Sequence, residues 1–223
     1  MKRFALFLVA IALCLAAVPM HATTLLSENF DELTANLDQT SVGAFTAING
    51  TNVDIVGPGN DYGYLCASPE SGNCVDMGGS GGNPYGQLQS SAIVLGAGTV
   101  YLSFDLVGNQ RPDYELESTT DVTLGPAVGA PLYSNSFILL YNDDSSGIVT
   151  DFPITVTSPE TVYLNFTYVD TPGTNGNVGA LLDNVQLTEN SNSPVPEPSS
   201  LLLLGSGLAA LAGGLWKRRK IGA

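Results

Sequence analysis

Between Thr23 and Glu189 the chain shows no sustained helical period, and short alternations of apolar and polar residues recur between clusters of Gly, Pro, Asn and Asp. This pattern constrains the fold more than any other feature, because a period of two places successive side chains on opposite faces of a strand. In Val162 to Val169, Val162, Leu164, Phe166 and Tyr168 share one face while Asn165 and Thr167 take the other. Thr99 to Val107 is equally rich in strand formers. Further strands are expected at Leu25–Asn29, Ala44–Ile48, Val53–Val56, Gln87–Leu95, Tyr114–Leu124, Ser136–Tyr141, Ile148–Val156 and Leu181–Thr188, with turns at 57–60, 78–84, 142–147 and 171–176. About ten short strands in this length fit an all-β, two-sheet sandwich, in the form of a jelly roll. The span is long enough to bury a core without a partner.

The two ends read differently. Lys2 and Arg3 precede an apolar run from Phe4 to Val18 and then Pro19-Met20-His21-Ala22, the charged, apolar and small-residue regions of a secretory signal helix. Cleavage is expected after Ala22, with Ala17 as the alternative. Cys14 invites a lipoprotein reading, but Leu13 before it is not the small residue that such a site resembles. At the other end, Leu201 to Trp216 is apolar or small throughout and Lys217-Arg218-Arg219-Lys220 follows at once. Sixteen helical residues span roughly 24 Å against a hydrocarbon core of ~30 Å, so a single transmembrane helix here needs neighbouring residues or snorkelling to complete the crossing. The basic block is expected to stay cytoplasmic as the membrane stop. The expected organisation is therefore a signal peptide over 1–22 and an acidic sandwich ectodomain over 23–190. A Pro/Ser linker over 191–200 and a membrane helix with a basic tail over 201–223 follow.

Charge is segregated. Of seven Lys and Arg, two lie in the signal, four in the tail, and only Arg111 between them, whereas all 21 acidic residues fall from Glu28 to Glu197. A polyanionic body argues against nucleic acid and anionic lipid headgroups as partners of the ectodomain. It is compatible with divalent cations or with solubility alone.

Cys66 and Cys74 are the cysteines left after signal removal, and in an exported chain this spacing reads as a disulfide. Two thiolates without histidine make a poor zinc set.

Val195-Pro196-Glu197-Pro198, followed directly by the apolar segment and the Lys217–Lys220 block, resembles the three-part sorting tail of PEP-CTERM proteins. The resemblance implies an exosortase as partner, export across the inner membrane with anchoring by the C-terminal helix, and a final place at the cell surface or in an exopolysaccharide or biofilm matrix. More loosely, the body resembles galactose-binding-like jelly rolls found with this tail. Glu28-Asn29-Phe30-Asp31, Gly86 to Ser90, Tyr101 to Arg111 and Ala180 to Leu187 carry that resemblance. It implies sugar binding and a structural calcium ion held between the first and last strands, for which Glu28, Asp31 and Asp183 are the candidate ligands.

Little catalytic chemistry is available. His21 is the one histidine and leaves with the signal if cleavage follows Ala22, which removes Ser-His-Asp, Cys-His and His-ligated metal chemistry. The ectodomain has no lysine and so no phosphate-loop motif. Paired carboxylates could in principle act at glycosidase separation, but no pair stands out. Arg111 is expected to pair with Asp105, Asp113 or Glu115. The other reading has Asn109, Gln110 and Arg111 contacting an acidic sugar. Tyr62, Tyr64 and Tyr85, in Gly-rich loops near the cysteines, are the candidate sugar-facing surface, and Trp216 lies in the tail. The expected function is a non-enzymatic extracellular module that binds carbohydrate or matrix. The alternatives are a structural, calcium-binding or hydrated surface protein and a carboxylate-based glycosidase.

Overall fold

Two antiparallel sheets face each other across a core built from the alternating positions of the long strands. The computed structural model describes residues 21–60, 62–66, 72–111, 117–169 and 177–191. The signal segment up to residue 20, the linker with its Pro-Glu-Pro motif and the apolar and basic tail lie outside the described residues. One unit, Ala22–Asn190, holds every described buried apolar side chain and so carries its own core.

The strands are β1 (His21–Glu28), β2 (Asn36–Gln39), β3 (Ser41–Val42), β4 (Phe45–Ala47), β5 (Val53–Val56), β6 (Cys74–Asp76), β7 (Gln87–Ser90), β8 (Ile93–Leu95), β9 (Gly98–Val107), β10 (Ser118–Gly125), β11 (Tyr133–Leu139), β12 (Val149–Val156), β13 (Glu160–Tyr168) and β14 (Leu181–Ser191), with a 3-10 turn at Gly63–Cys66. One sheet runs β12-β9-β14-β6-β5-β2, with β1 also on β14. The other runs β11-β10-β13-β7-β4-β3, with β8 also on β13. Alternation sets which side is buried: Val100, Leu102, Phe104 and Leu106 of β9 face Val162, Leu164, Phe166 and Tyr168 of β13, and all are within 1% of full burial. A chain of ring contacts from Phe30 through Phe45, Phe166 and Phe104 to Phe137 threads this core at centroid spacings of 5.3 to 6.3 Å. Three of the four contacts are edge-to-face, the arrangement the ring quadrupoles favour.

The all-β sandwich agrees with the sequence reading. The differences have local causes. The expected strand over Gln87–Leu95 is two strands, because the Ser90 hydroxyl accepts from the Leu164 amide at 3.0 Å and donates to the Ser91 carbonyl. A side chain takes a ladder bond at that point and the strand breaks. β2, β3 and β6 were not expected; β2 is polar, with Asp38 at a φ of 56°, and the other two are three residues or shorter. Such pieces carry too few alternations to register as strands. β11 starts at Tyr133 rather than Ser136, and β10 is described from Ser118.

A second, smaller core lies outside the sandwich. Val56, Leu65, Cys66, Cys74, Val107 and Leu181 pack together with Tyr62 against them, under the 3-10 turn. The expected disulfide joins Cys66 to Cys74 with Cα atoms 5.7 Å apart.

Candidate functional site

Two polar sites stand out among the described residues, and the chain builds them differently. The first is an open cleft of about 180 Å³ where β1 meets β14, lined by Ser27, Glu28, Asn29, Asn184, Val185 and Gln186. Its floor comes from an irregularity: the β14–β9 register shifts between Asp183 and Gln186, and Asn184 there adopts a φ of 50°. Asparagine tolerates that left-handed conformation better than most residues. The Asn184 side chain donates to Asp105 at 2.9 Å, which fixes the bulge.

On the facing strand, Glu28 accepts from the Phe30 amide at 3.0 Å and, with its other oxygen, from the Ala44 amide at 2.9 Å. Gly43 is required beside it: its φ is +55°, and a Cβ there would stand 1.8 Å from the Glu28 carboxylate. Asp31 turns the other way, accepting from the Asn73 amide and the Asn29 side chain, each at 3.0 Å. Asp183 accepts from the Asn184 amide at 2.7 Å and stands opposite Asp105 across the ladder. The topology thus brings Glu28 to the strand that carries Asp183, while Asp31 is directed to the disulfide segment. Among the described residues no three His, Cys, Asp or Glu side chains are grouped as a metal would need.

The second site is an ionic knot at the edge of the minor core. Arg111 pairs with Asp76 at 2.6 Å, with side chains 13% and 1% exposed. It also donates to the Asn177 carbonyl at 3.1 Å and lies over the Tyr62 ring at 5.0 Å. Asp76 accepts two further bonds, from the Gly78 amide at 2.8 Å and the Gly179 amide at 3.0 Å. A Cβ on Gly179 would meet the Gly78 nitrogen at 2.2 Å, so this close approach needs glycine. Burial pushes the Asp76 carboxyl up to about 7, Arg111 and the two amides pull it down, and nearby Asp54 adds to the rise. Asp54, directly across the ladder from Asp76 and also 1% exposed, accepts from the Asp38 and Ser80 amides and from the Ser80 hydroxyl.

The pairing of Arg111 corrects the sequence expectation. The partner is Asp76, 35 residues away, while Asp105 bonds Asn184, and Asp113 and Glu115 lie outside the described residues. Strand pairing sets β14 between β9 and β6, with Leu181 opposite both Val107 and Asp76, and so brings Asp76 near the residues that follow β9, which local spacing does not foretell. The Asn109 side chain accepts from the Arg111 amide, and that of Gln110 donates to the Gly108 carbonyl. Tyr62 supports Arg111, Tyr85 packs on Tyr168 at 5.3 Å, and the side chain of Tyr64 lies outside the described residues. Tyr62, Tyr85, Asn109, Gln110 and Arg111 thus each make contacts within the domain. Asp54 and Asp76 were missed. Their signal was an acid set inside apolar strand formers, in Val53-Asp54-Ile55-Val56 and Cys74-Val75-Asp76-Met77.

Comparison with solved structures finds similar sandwiches at low identity. The K3 cleaved adhesin domain of Lys-gingipain from Porphyromonas gingivalis W83 is 18% identical with a TM-score of 0.43, covering 75% of this chain and 99% of that one. The K1 cleaved adhesin domain of the same protein is 15% identical with a TM-score of 0.43, covering 76% and 99%. An arabinose-bound MgGH51 α-L-arabinofuranosidase is 12% identical with a TM-score of 0.43, covering 77% of this chain but 27% of that one. No curated protein matches the chain. Residues 194–220 match the family described as PEP-CTERM protein-sorting motif, so the chain carries a C-terminal sorting signal that marks it for export and an extracellular or surface fate.

Proposed function

We propose that the protein is an exosortase-sorted, non-catalytic surface module that associates with extracellular polysaccharide through the polar cleft between β1 and β14. The observation that carries the export half is the sorting motif over 194–220 behind a disulfide-pinned sandwich. The binding half rests on the cleft's chemistry. Asn29, Asn184 and Gln186 line it with carboxamides, of which Asn29 and Asn184 also donate to Asp31 and Asp105, and Ser27 and Glu28 stand beside them, a mix of donors and acceptors that matches the demands of sugar hydroxyls. At about 180 Å³ it is smaller than the ~300–1,000 Å³ of enclosed small-molecule pockets, so it suits one sugar unit of a longer chain. The tyrosine surface expected from sequence contributes less to this reading, because Tyr62 and Tyr85 are engaged in packing. The galactose-binding-like jelly-roll assignment belongs to the same proposal.

The test is retention of residues 22–190 on immobilised polysaccharides, wild type against Asn29→Ala/Gln186→Ala. Loss of retention with an unchanged unfolding midpoint supports the reading; retention that ignores both changes moves the site elsewhere. A structural calcium ion is the second reading of this cleft, favoured by the Glu28 carboxylate that lines it. Its check is thermal unfolding with about 1 mM calcium against chelator, where a rise abolished by Asp183→Ala supports a bound ion.

A further inference from the structure

The main path of one sheet ends at β2 and β12 and that of the other at β3 and β11, while β1 and β8 branch from β14 and β13. Three of the four path ends are blunted in the ways that natural sheets use to refuse further strands. β2 has four residues, an acidic Asp38 at a φ of 56° and a register shift against β5. β3 has two residues. β12 carries Pro153, the exposed Asp151 at a φ of 48° and a register shift between Val149 and Phe152. β11 has none of these devices. It holds seven residues in unbroken register with β10 from Leu139 to Tyr133, and among the described residues it has no partner on its other side.

β11 is also free of charge. From Leu124 to Asn142 the sequence contains no ionisable acid or base other than tyrosine; Met77 to Phe104 is similarly uncharged, but of its strands β7 and β9 lie between two neighbours and β8 has three residues. Exposed large apolar side chains also collect here: Val128, Ile138 and Leu140 lie in this stretch, and Ile148 and Phe152 lie on or beside β12, leaving Val94 as the one elsewhere among the described residues. Tyr133 and Phe152 touch at a ring spacing of 5.1 Å, so β11 and β12 border the same side of the sandwich.

We infer that β11 is the self-association edge of this protein, pairing antiparallel with β11 of a second copy to join two sheets into one. An isologous pair closes on itself and does not propagate. A second copy is the occupant that the charges select. Two polyanions repel wherever acidic surfaces meet, and this uncharged edge lets them approach, whereas a basic partner gains nothing by docking where there is no charge. In the joined sheet, Asp121, which stands opposite Ser136 on β10, would lie three strand spacings from its counterpart if the register centres on Ser136. That is about 14 Å, beyond the ~8 Å Debye length at physiological salt.

The experiment is sedimentation of oxidised residues 22–190 from about 5 to 500 μM at low and high salt, for wild type, Ile138→Val, Ile138→Glu and Ser134→Glu. The inference expects a two-copy species in wild type and I138V that strengthens with salt. It also expects at least about tenfold weaker association in I138E and S134E at low salt, with unfolding midpoints unchanged. A single-copy species at every concentration and salt overturns it, as does association indifferent to both glutamates. Two independent outward-facing positions guard against a variant that fails to fold.

Discussion

A buried carboxylate and the one cation of the sandwich hold each other in place, and their energetics follow from burial. Folded Asp76 keeps its proton up to about 7, whereas the ordinary value is 3.8. Between those pH values the folded state binds more protons than the unfolded one, so this group's contribution to stability falls as pH rises from about 4 to 7, by at most about 1.4 kcal/mol per unit. Urea midpoints measured from pH 4.5 to 8 are expected to show this slope, and Asp76→Asn is expected to flatten it. Arg111→Ala is expected to cost about 3–5 kcal/mol at pH 8, where it strands a charge, and clearly less at pH 5, where Asp76 can hold a proton instead. An equal loss at both values would mean that the pair's role is packing alone. At this scale the sequence was half legible. A lone arginine among acids had to find a partner, but the partner is set by strand pairing, and nothing near Arg111 points to a residue 35 positions earlier.

Among elements, the long strands were readable because each repeats its alternation enough times to define a face. β9, β13 and the start of β14 lie close to their expected places. The short pieces β2, β3 and β6 were not, since a few residues carry no period, and they owe their conformation to neighbours. The cleft was legible only as a meeting of first and last strands; the bulge at Asn184 that shapes it depends on a cross-strand bond to Asp105. The disulfide was legible from spacing and compartment, but its purpose was not. It belongs to the minor core of Val56, Leu65, Val107 and Leu181 and ties the 3-10 turn to β6 there. Cys66→Ser/Cys74→Ser is expected to lower stability by about 2–3 kcal/mol through loop entropy. Scanning with a protease of broad specificity is expected to find cuts at Gly63–Cys66 before the sandwich opens. Cleavage that begins in the long strands would show that the two cores unfold together.

For the whole molecule, the uneven placement of charge organises everything else. Acids are spread through the sandwich, and apart from Arg111 the basic groups sit at the two ends of the sequence. The single arginine of the body has a further consequence. With no lysine between Lys2 and Lys217, Arg111 is the one residue in 22–190 that an enzyme of trypsin's specificity can recognise, and Pro112 follows it, a junction that such enzymes cut poorly. Folding also binds the Arg111 side chain to Asp76 and leaves it barely exposed. The domain should therefore survive such digestion whole, and its opening should be visible only to a protease of broader specificity.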